Sequence, residues 1–535
     1  MSSPRPPGCV AAGDRRTAAA GAEILRAGGN AVDAAVAATC AAWVCEPILT
    51  GPFGGGFALV ADAQAPAMAY DLFADVPGRG LGAVGQGLDF AGLEVSFGPA
   101  TQSFHVGRGA TAVPRLLPGL LTLQAERGRL PLAPLLAPAL ALARAGAGLS
   151  PEVAPIAAIL TPILNYTQAT AALYAPGGMP LGTTNPFVSL GLLRLLEALQ
   201  AGTPAAELQA CLLPAFGPPH GRLTAADLTA AGLRRRAPLQ VQVGPFTVLL
   251  TPPPSLGGLL VGLGLELLET VPATTWADER LASLQLLGCM AATQSIRAAT
   301  VDPAARAGST ALDALEATLR APELLAAGRA EQAHVARYGV AGGPAPGRHL
   351  GSTTHISVLD GDGGACAITS SNGEGCGHLV PGCGVMANNF LGEADINPAG
   401  FHRRPAGEAM LSMMCPTLVL HQGRPILALG TGGSNRIRTA LLQVLVQHLL
   451  RGQTVADAVQ APRLHYEGGP LYVERAVLTS CMPAATLAAL TERCPQLVPF
   501  DAANMFFGGV HVAGTGTDAP GGAGDGRRGG AVVIA

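Results

Sequence analysis

The stretch Thr353-Thr354-His355-Ile356-Ser357-Val358-Leu359-Asp360, followed by Gly361-Asp362-Gly363-Gly364, constrains the fold of this 535-residue chain more than any other. Side chains from 354 to 359 alternate with the two-residue period of a strand, 360 to 364 carry turn chemistry, and 365 to 370 read as the returning strand. Folding this hairpin about Asp362 sets Thr353 opposite Ser371. Directly opposed residues of an antiparallel pair have Cβ atoms about 5 Å apart, so the two hydroxyls are within reach of a shared hydrogen bond. Just upstream, residues 342 to 351 are rich in glycine and proline and have no apolar period. They read as an accessible loop ending at a strand, which is where a self-cutting precursor keeps its cut site.

Along the rest of the chain, Thr17 to Arg26 and Asn30 to Val44 are predicted as alanine-rich helices separated by Gly28-Gly29, with Asn30 as an N-cap and Asp33 three positions on. Gly51 to Asp62 is predicted as a glycine turn entering a strand. Residues 114 to 215 are mainly helical in pattern, Pro238 to Leu250 alternates as a strand, and Gly257 to Glu269 returns to helical spacing. After the hairpin come strands at Thr417 to Leu420 and Arg424 to Leu429, joined by Gln422-Gly423, and a helix from Thr439 to Leu450. Gly514 to Gly530 is the low-complexity segment, read as a mobile loop before a last strand, Ala531 to Ile534. A helix-rich first part and a strand-rich second part suit an α+β class with stacked sheets.

Composition narrows the function. With 49% hydrophobic and 13% charged residues, the chain still has no run of eighteen apolar residues free of charge, proline or glycine, so no transmembrane helix is expected. The opening Met1-Ser2-Ser3-Pro4-Arg5-Pro6-Pro7 lacks the apolar core of a secretory signal, which gives the expectation of a cytoplasmic protein. A net charge of -3, from 33 basic and 36 acidic residues without a basic stripe, argues for a small-molecule partner and against nucleic acid or a membrane surface. The eleven cysteines are irregularly spaced with no Cys-x-x-Cys, so reduced, mostly buried thiols are expected and a zinc site is not. Gly54-Gly55-Gly56 lacks the Gly-Lys-Ser/Thr ending of a phosphate loop; close backbone packing is the expected use.

Read in order, Gly28-Gly29-Asn30-Ala31-Val32-Asp33-Ala34-Ala35, Gly54-Gly55-Gly56-Phe57, Pro252-Pro253-Pro254-Ser255, Thr353-Thr354-His355, Asn388-Asn389, Cys415-Pro416-Thr417 and Gly432-Gly433-Ser434-Asn435-Arg436-Ile437 resemble the γ-glutamyltransferase family over nearly the whole chain. The resemblance implies an N-terminal-nucleophile hydrolase with a four-layer αββα sandwich. It further implies a precursor cut between Ser352 and Thr353 into a large-subunit region, 1 to 352, and a small-subunit region, 353 to 535, held as one intertwined unit. Thr353 would be the nucleophile, its freed α-amine (pKa about 8) the base beside the hydroxyl. The cut itself would be an N-to-O shift by that hydroxyl on the Ser352 carbonyl, followed by hydrolysis. Ser371 takes the family's helper-hydroxyl role, orienting the Thr353 hydroxyl or bonding its amine. The backbone N–H groups of Gly433 and Ser434, between a strand and a helix N-terminus, would form the oxyanion hole. No metal and no cofactor is called for.

Substrate contacts depart from the family pattern. The arginine that clamps a glutamyl α-carboxylate falls within Asp71-Leu72-Phe73-Ala74-Asp75-Val76-Pro77, where Phe73 stands in its place. Either another cation substitutes, with Arg79, Arg108, Arg403 and Arg404 as candidates, or the substrate lacks that carboxylate. An expected asparagine is Gly373, flanked by Asn372 and Glu374; an expected aspartate is Glu393; of two expected serines Ser412 remains and Met413 replaces the other. The acids can still bind an ammonium group. The expected activity is transfer of a γ-glutamyl group from glutathione or a related amide, through acyl-Thr353, to water or an amine. A cephalosporin-acylase-like amide hydrolase acting on a different acyl group is the first alternative, favoured by Phe73. An uncut homologue serving as a binding or scaffold protein is the second, opposed by the retention of Thr353, Ser371 and the glycine turn.

Overall fold

The computed structural model describes residues 7–82, 87–96, 101–340, 352–477, 480–515 and 520–535. The loop expected at 342 to 351 lies outside them. The hairpin forms strands Thr354–Leu359 and Ala365–Ser371, with Thr354 opposite Ser370, the register drawn from the turn about Asp362. Asp360 builds that turn: its carboxylate accepts the backbone N–H of Asp362 (2.9 Å) and Gly364 (2.8 Å). It also accepts the N–H of Ala31 (2.9 Å), the first residue of the buried helix Ala31–Cys45. Asn30 and Asp33 close a capping box at the same helix end, so the N–H groups of Asn30, Ala31 and Asp33 all find side-chain acceptors.

Among the described residues, the hairpin is the centre of a seven-stranded antiparallel sheet in the order 531–534, 9–12, 354–359, 365–371, 55–61, 68–71, 234–236. A second antiparallel sheet runs 520–523, 511–515, 424–430, 417–421, 246–250, 239–243. The two sheets meet through Cys9, Ala11, Leu59, Ala61, Ala365, Ala367, Leu418, Ala428 and Ala513, mostly small side chains. Because side chains alternate along a strand, Val10, Ala12, Val60, Ile356, Val358 and Ile368 point the other way. They pack against the helices Arg15–Arg26 and Ala31–Cys45. The far face of the second sheet, through Val248, Leu250, Val419 and Leu429, packs on the helices Leu256–Leu268, Glu279–Ile296 and Arg436–Leu445.

The same alternation explains the histidine of the Thr-Thr-His run. His355 points into the space between the sheets, where its Nδ1 meets Thr369 Oγ1 (2.8 Å) and its Nε2 meets Ser357 Oγ (2.8 Å). A Cβ at Gly430 would strike this ring, so a side chain is excluded there. Burial, then the neighbouring His511, pushes His355 well below the usual imidazole range. It is a neutral spacer between two sheets.

Two expectations are corrected. Pro238 to Leu250 is two strands, Leu239–Val243 and Phe246–Leu250, because Gly244 (φ 55°) turns the chain back on itself. Of the expected loop Gly514 to Gly530, 516–519 lie outside the described residues, and the part from Pro520 on is ordered into the fold. Pro520–Ala523 pairs with His511–Thr515, and Asp525, Arg527 and Arg528 that follow are buried. Asp525 binds Arg463 (2.5 Å) and Arg527 (3.2 Å), and Arg527 binds Glu474 (2.6 Å). Against the pull of burial, the two guanidiniums hold the Asp525 carboxyl down to about 2. Helices are concentrated before position 353, yet both sheets draw strands from both sides of it.

Candidate active site

Position 353 has the parity of His355, and position 371 that of Thr369, so Thr353 and Ser371 lie on the face of the hairpin that looks toward the second sheet. Both are buried, as is Ser352. In the uncut chain the Ser371 hydroxyl donates to the carbonyl oxygen of Ser352, the carbonyl ahead of Thr353, and itself accepts the N–H of Gly373 (2.9 Å). It was expected at the Thr353 hydroxyl or amine; in the intact chain it goes to the peptide bond next to them. Such a hydrogen bond draws electron density from the carbonyl that the Thr353 hydroxyl would attack.

Glycine makes the close approaches around this centre. A Cβ at Gly54 would collide with the Ser371 carbonyl, one at Gly55 with the Phe73 carbonyl, and one at Gly56 would lie 2.5 Å from the Thr369 carbonyl oxygen. The three glycines let neighbouring backbone press against the hairpin, the packing use expected of them. On the opposite side, Gly432 sits so near the Thr353 carbonyl that a Cβ would overlap it. The turn then runs through Gly433 (φ 133°) and Ser434 (φ 50°) into the helix Arg436–Leu445. Left-handed backbone at a serine costs about 1–2 kcal/mol. Ser434 is held there by its hydroxyl, which donates to Asp395 Oδ2 (2.8 Å).

A cavity of about 40 Å³ lies between these groups, lined by Ser352, Thr353, Ser371, Ser434 and a largely apolar wall of Phe73, Phe390, Ile396, Met413, Met414 and Ile437. Phe73 is buried and stacks on Phe57 (centroids 5.6 Å apart) and against Phe390 (4.6 Å). Three acids border the same space. Glu393 and Asp395 line it, and Glu374 lies behind them with its carboxyl tied to the Ser352 backbone N–H. Burial, then Asp395, pushes Glu374 up to about 8; burial, then Glu374 and Asp395, pushes Glu393 well above the carboxylate range. Glu374 Oε2 and Glu393 Oε1 are buried with no hydrogen-bond partner among the described residues.

Of the residues singled out from sequence, Thr353, Ser352, Ser371, Glu393, Ser412 and Ser434 line this cavity together. Gly433 adjoins it in the turn. Asn372 is not among the lining residues; its amide donates to the Met386 carbonyl (3.1 Å). The missing asparagine at 373 has a steric cause: Gly373 is at φ 62°, and a Cβ there would collide with Asn389 Oδ1 and Glu393 Oε1. The longer acid at 393 fills the room that a side chain at 373 would need. None of the four candidate arginines reaches the cavity lining. Arg79 faces Asp227, Arg108 faces Asp89, Arg404 pairs with Glu408, and Arg403 is exposed. Arg115, which sequence reading passed over, is buried but is taken up by Asp71 and Asp75, on either side of Phe73 (3.4 Å each). Asp395 was also missed; its signal was a second acid two places after Glu393.

The stacked sheets, with a threonine at the start of a central strand, place the fold among known acylase structures. The cephalosporin acylase from Bacillus halodurans aligns over 100% of this chain and 98% of its own with a TM-score of 0.77, at 22% identity, a likeness of fold. The family model described as Gamma-glutamyltranspeptidase matches residues 17–535, and the chain belongs to that family of N-terminal-nucleophile enzymes. Two relatives bracket its members. The Acylase ACY 1 proenzyme of Pseudomonas sp. (strain SE83) is 30% identical, covering 92% of this chain and 87% of the relative. The Glutathione hydrolase proenzyme of Escherichia coli (strain K12) is 26% identical, covering 86% and 81%. Among the described residues no helix is long and apolar enough to cross a membrane.

Proposed function

We propose that this chain is a self-cleaving amide hydrolase with a four-layer αββα core, whose Thr353 accepts an acyl group that lacks the α-carboxylate of a γ-glutamyl donor. Cleavage between Ser352 and Thr353 would leave fragments 1 to 352 and 353 to 535 and free the amine that activates the Thr353 hydroxyl. Ser371 supports this by holding the Ser352 carbonyl. In the matured enzyme the N–H groups of Gly433 and Ser434 would face the oxyanion. Among the described residues nothing accepts them.

The observation that carries the acyl preference is Phe73, stacked between Phe57 and Phe390 on a cavity wall with no arginine among the described residues. A carboxylate brought there would lose its hydration without gaining a counter-ion, several kcal/mol against it, and would face Glu374 and Glu393 besides. The wall offers an apolar acyl chain dispersion and area burial instead. Transfer of a γ-glutamyl group is the second reading, favoured by the three acids, which can receive an α-ammonium. In either reading the acceptor is water or an amine.

Intact mass and N-terminal sequencing of the purified protein test the maturation. Two fragments, the smaller beginning at Thr353, are expected from the parent and one full-length chain from Thr353→Ala. Ser371→Ala should cleave about 10²-fold more slowly, the effect of losing one preorganised donor. The anilides of butyric acid, glutaric acid and γ-glutamate then separate the substrates. Butyryl anilide is expected to give the highest kcat/KM; a clear preference for γ-glutamyl anilide overturns the acyl assignment and leaves the maturation standing.

A further inference from the structure

Outside the site, one pair of reactive groups stands apart. The Sγ atoms of Cys211 and Cys383 are 3.4 Å apart. Cys211 follows the short helix Ala205–Ala210, is half-buried, and also donates to the Leu208 carbonyl (2.9 Å). Cys383 is buried in the turn 380–385, closed by Cys383 N–H to Val380 O (3.1 Å) and Val380 N–H to Val385 O (2.8 Å). That turn is pinned from outside. Ser189 Oγ donates to the Gly384 carbonyl (2.6 Å), and Gly191, in the first turn of the helix Leu190–Gln200, lies so close that a Cβ would be 2.5 Å from the Cys383 carbonyl carbon. The Cys383 turn is therefore held with its sulfur 3.4 Å from that of Cys211, so that a short approach of the two sulfurs would close a disulfide.

We propose that Cys211 and Cys383 are a redox-modification site, a dithiol that oxidises to a disulfide bridging the helical region to the segment 372–389 that carries Glu374. Cys211 is in the region before position 353 and Cys383 after it. Given the cleavage proposed above, on which this consequence rests, the bridge would covalently join the two fragments of the matured enzyme. The hydrogen bond from Cys383 lowers the Cys211 thiol, while that contact and burial raise Cys383, which makes the more accessible Cys211 the attacking thiolate. With a small disulfide as oxidant, Cys211 sulfur attacks one of its sulfurs and expels a thiolate, giving a mixed disulfide. Cys383 sulfur then attacks the Cys211 sulfur and expels the second thiolate. Two protein thiols lose two electrons and two protons; the oxidant's S–S bond takes both electrons, and its two thiolates take the protons.

The test incubates the matured enzyme with 2-hydroxyethyl disulfide, desalts it, blocks free thiols with N-ethylmaleimide and compares denaturing gels with and without dithiothreitol. The expected result is one band at the combined size of the fragments that separates into two on reduction. The Cys211→Ser and Cys383→Ser variants should give two bands in both lanes. Two bands from the parent without reductant overturn the proposal, as does a linked band that survives in Cys211→Ser. Should the chain prove uncut, the gel shows one band throughout and the cleavage reading fails. The loss of two hydrogens in intact mass, absent from both variants, then still decides the thiol pair.

Discussion

At the scale of single residues, Glu46 is a buried acid outside the cavity whose protonation the fold controls. It accepts the hydroxyls of Thr354 (2.5 Å), next to the proposed nucleophile, and Thr17 (2.9 Å). Burial, then the nearby Asp14, lifts it from 4.5 to about 7, against the pull of these hydrogen bonds and of Arg16. A carboxyl raised on folding keeps a proton that the unfolded chain has released, so its stabilisation is complete below pH about 4.5 and is lost as pH rises through about 7. Over that window Glu46 should account for a loss of about 3 kcal/mol. Urea titrations at pH 5 and pH 8, in the uncut Thr353→Ala background, should show Glu46→Gln losing less stability than its parent by about that amount. Equal losses in both proteins would remove Glu46 from the account. The residues with a chemical signature in the sequence were legible at this scale: two hydroxyls placed opposite by a turn, and a glycine triplet. Those whose role is an absence were not, because a vacant position for arginine is defined only by what surrounds Phe73.

Elements position the cavity wall. The helix Leu256–Leu268 begins with Ser255, whose hydroxyl donates to the Met414 carbonyl (2.6 Å), and its first N–H, of Leu256, bonds the Ser412 carbonyl (2.8 Å). Gly257 in its first turn lies against Met413 so closely that a Cβ would overlap the Met413 carbonyl oxygen. Gly257→Ala should therefore push residues 412 to 414 into the cavity. It is expected to cost about 1–3 kcal/mol of stability and to raise KM several-fold while self-cleavage still proceeds. Gly262→Ala, farther along the same helix with 3.3 Å to Leu250 Cδ1, serves as the control and should be nearly neutral. An unchanged KM in Gly257→Ala would separate this helix end from the site. Helical spacing revealed the element itself, but its glycines read as ordinary small residues until the opposing loop was in place.

On the scale of the whole molecule, the break at position 353 would cut a chain whose two parts are interleaved. Strand 9–12 pairs on both sides with strands from beyond the break, 365–371 pairs with 55–61, and 246–250 pairs with 417–421. Parting the fragments would expose the edges of both sheets and the core between them, so they should co-elute in gel filtration without denaturant and unfold in one transition. Fragments that separate under native conditions would contradict this arrangement. The bridge proposed between Cys211 and Cys383 would add to an association that strand pairing already provides.

By itself the sequence determined what depends on neighbours along the chain: the hairpin register about Asp362, the capping box at Asn30, and the order of motifs that marks the family. Those rest on local geometry, alternation, turn chemistry and capping, which a few consecutive residues specify. Only the tertiary structure decided that strand 9–12 lies between 354–359 and 531–534, that the glycine-rich tail joins a sheet, and that Asp395 meets Ser434. It also decided that Glu393 occupies the space beside Gly373 and that, among the described residues, no arginine lines the cavity. Each of these joins residues far apart in the chain, and such contacts follow from which surfaces bury one another, information that no single segment carries.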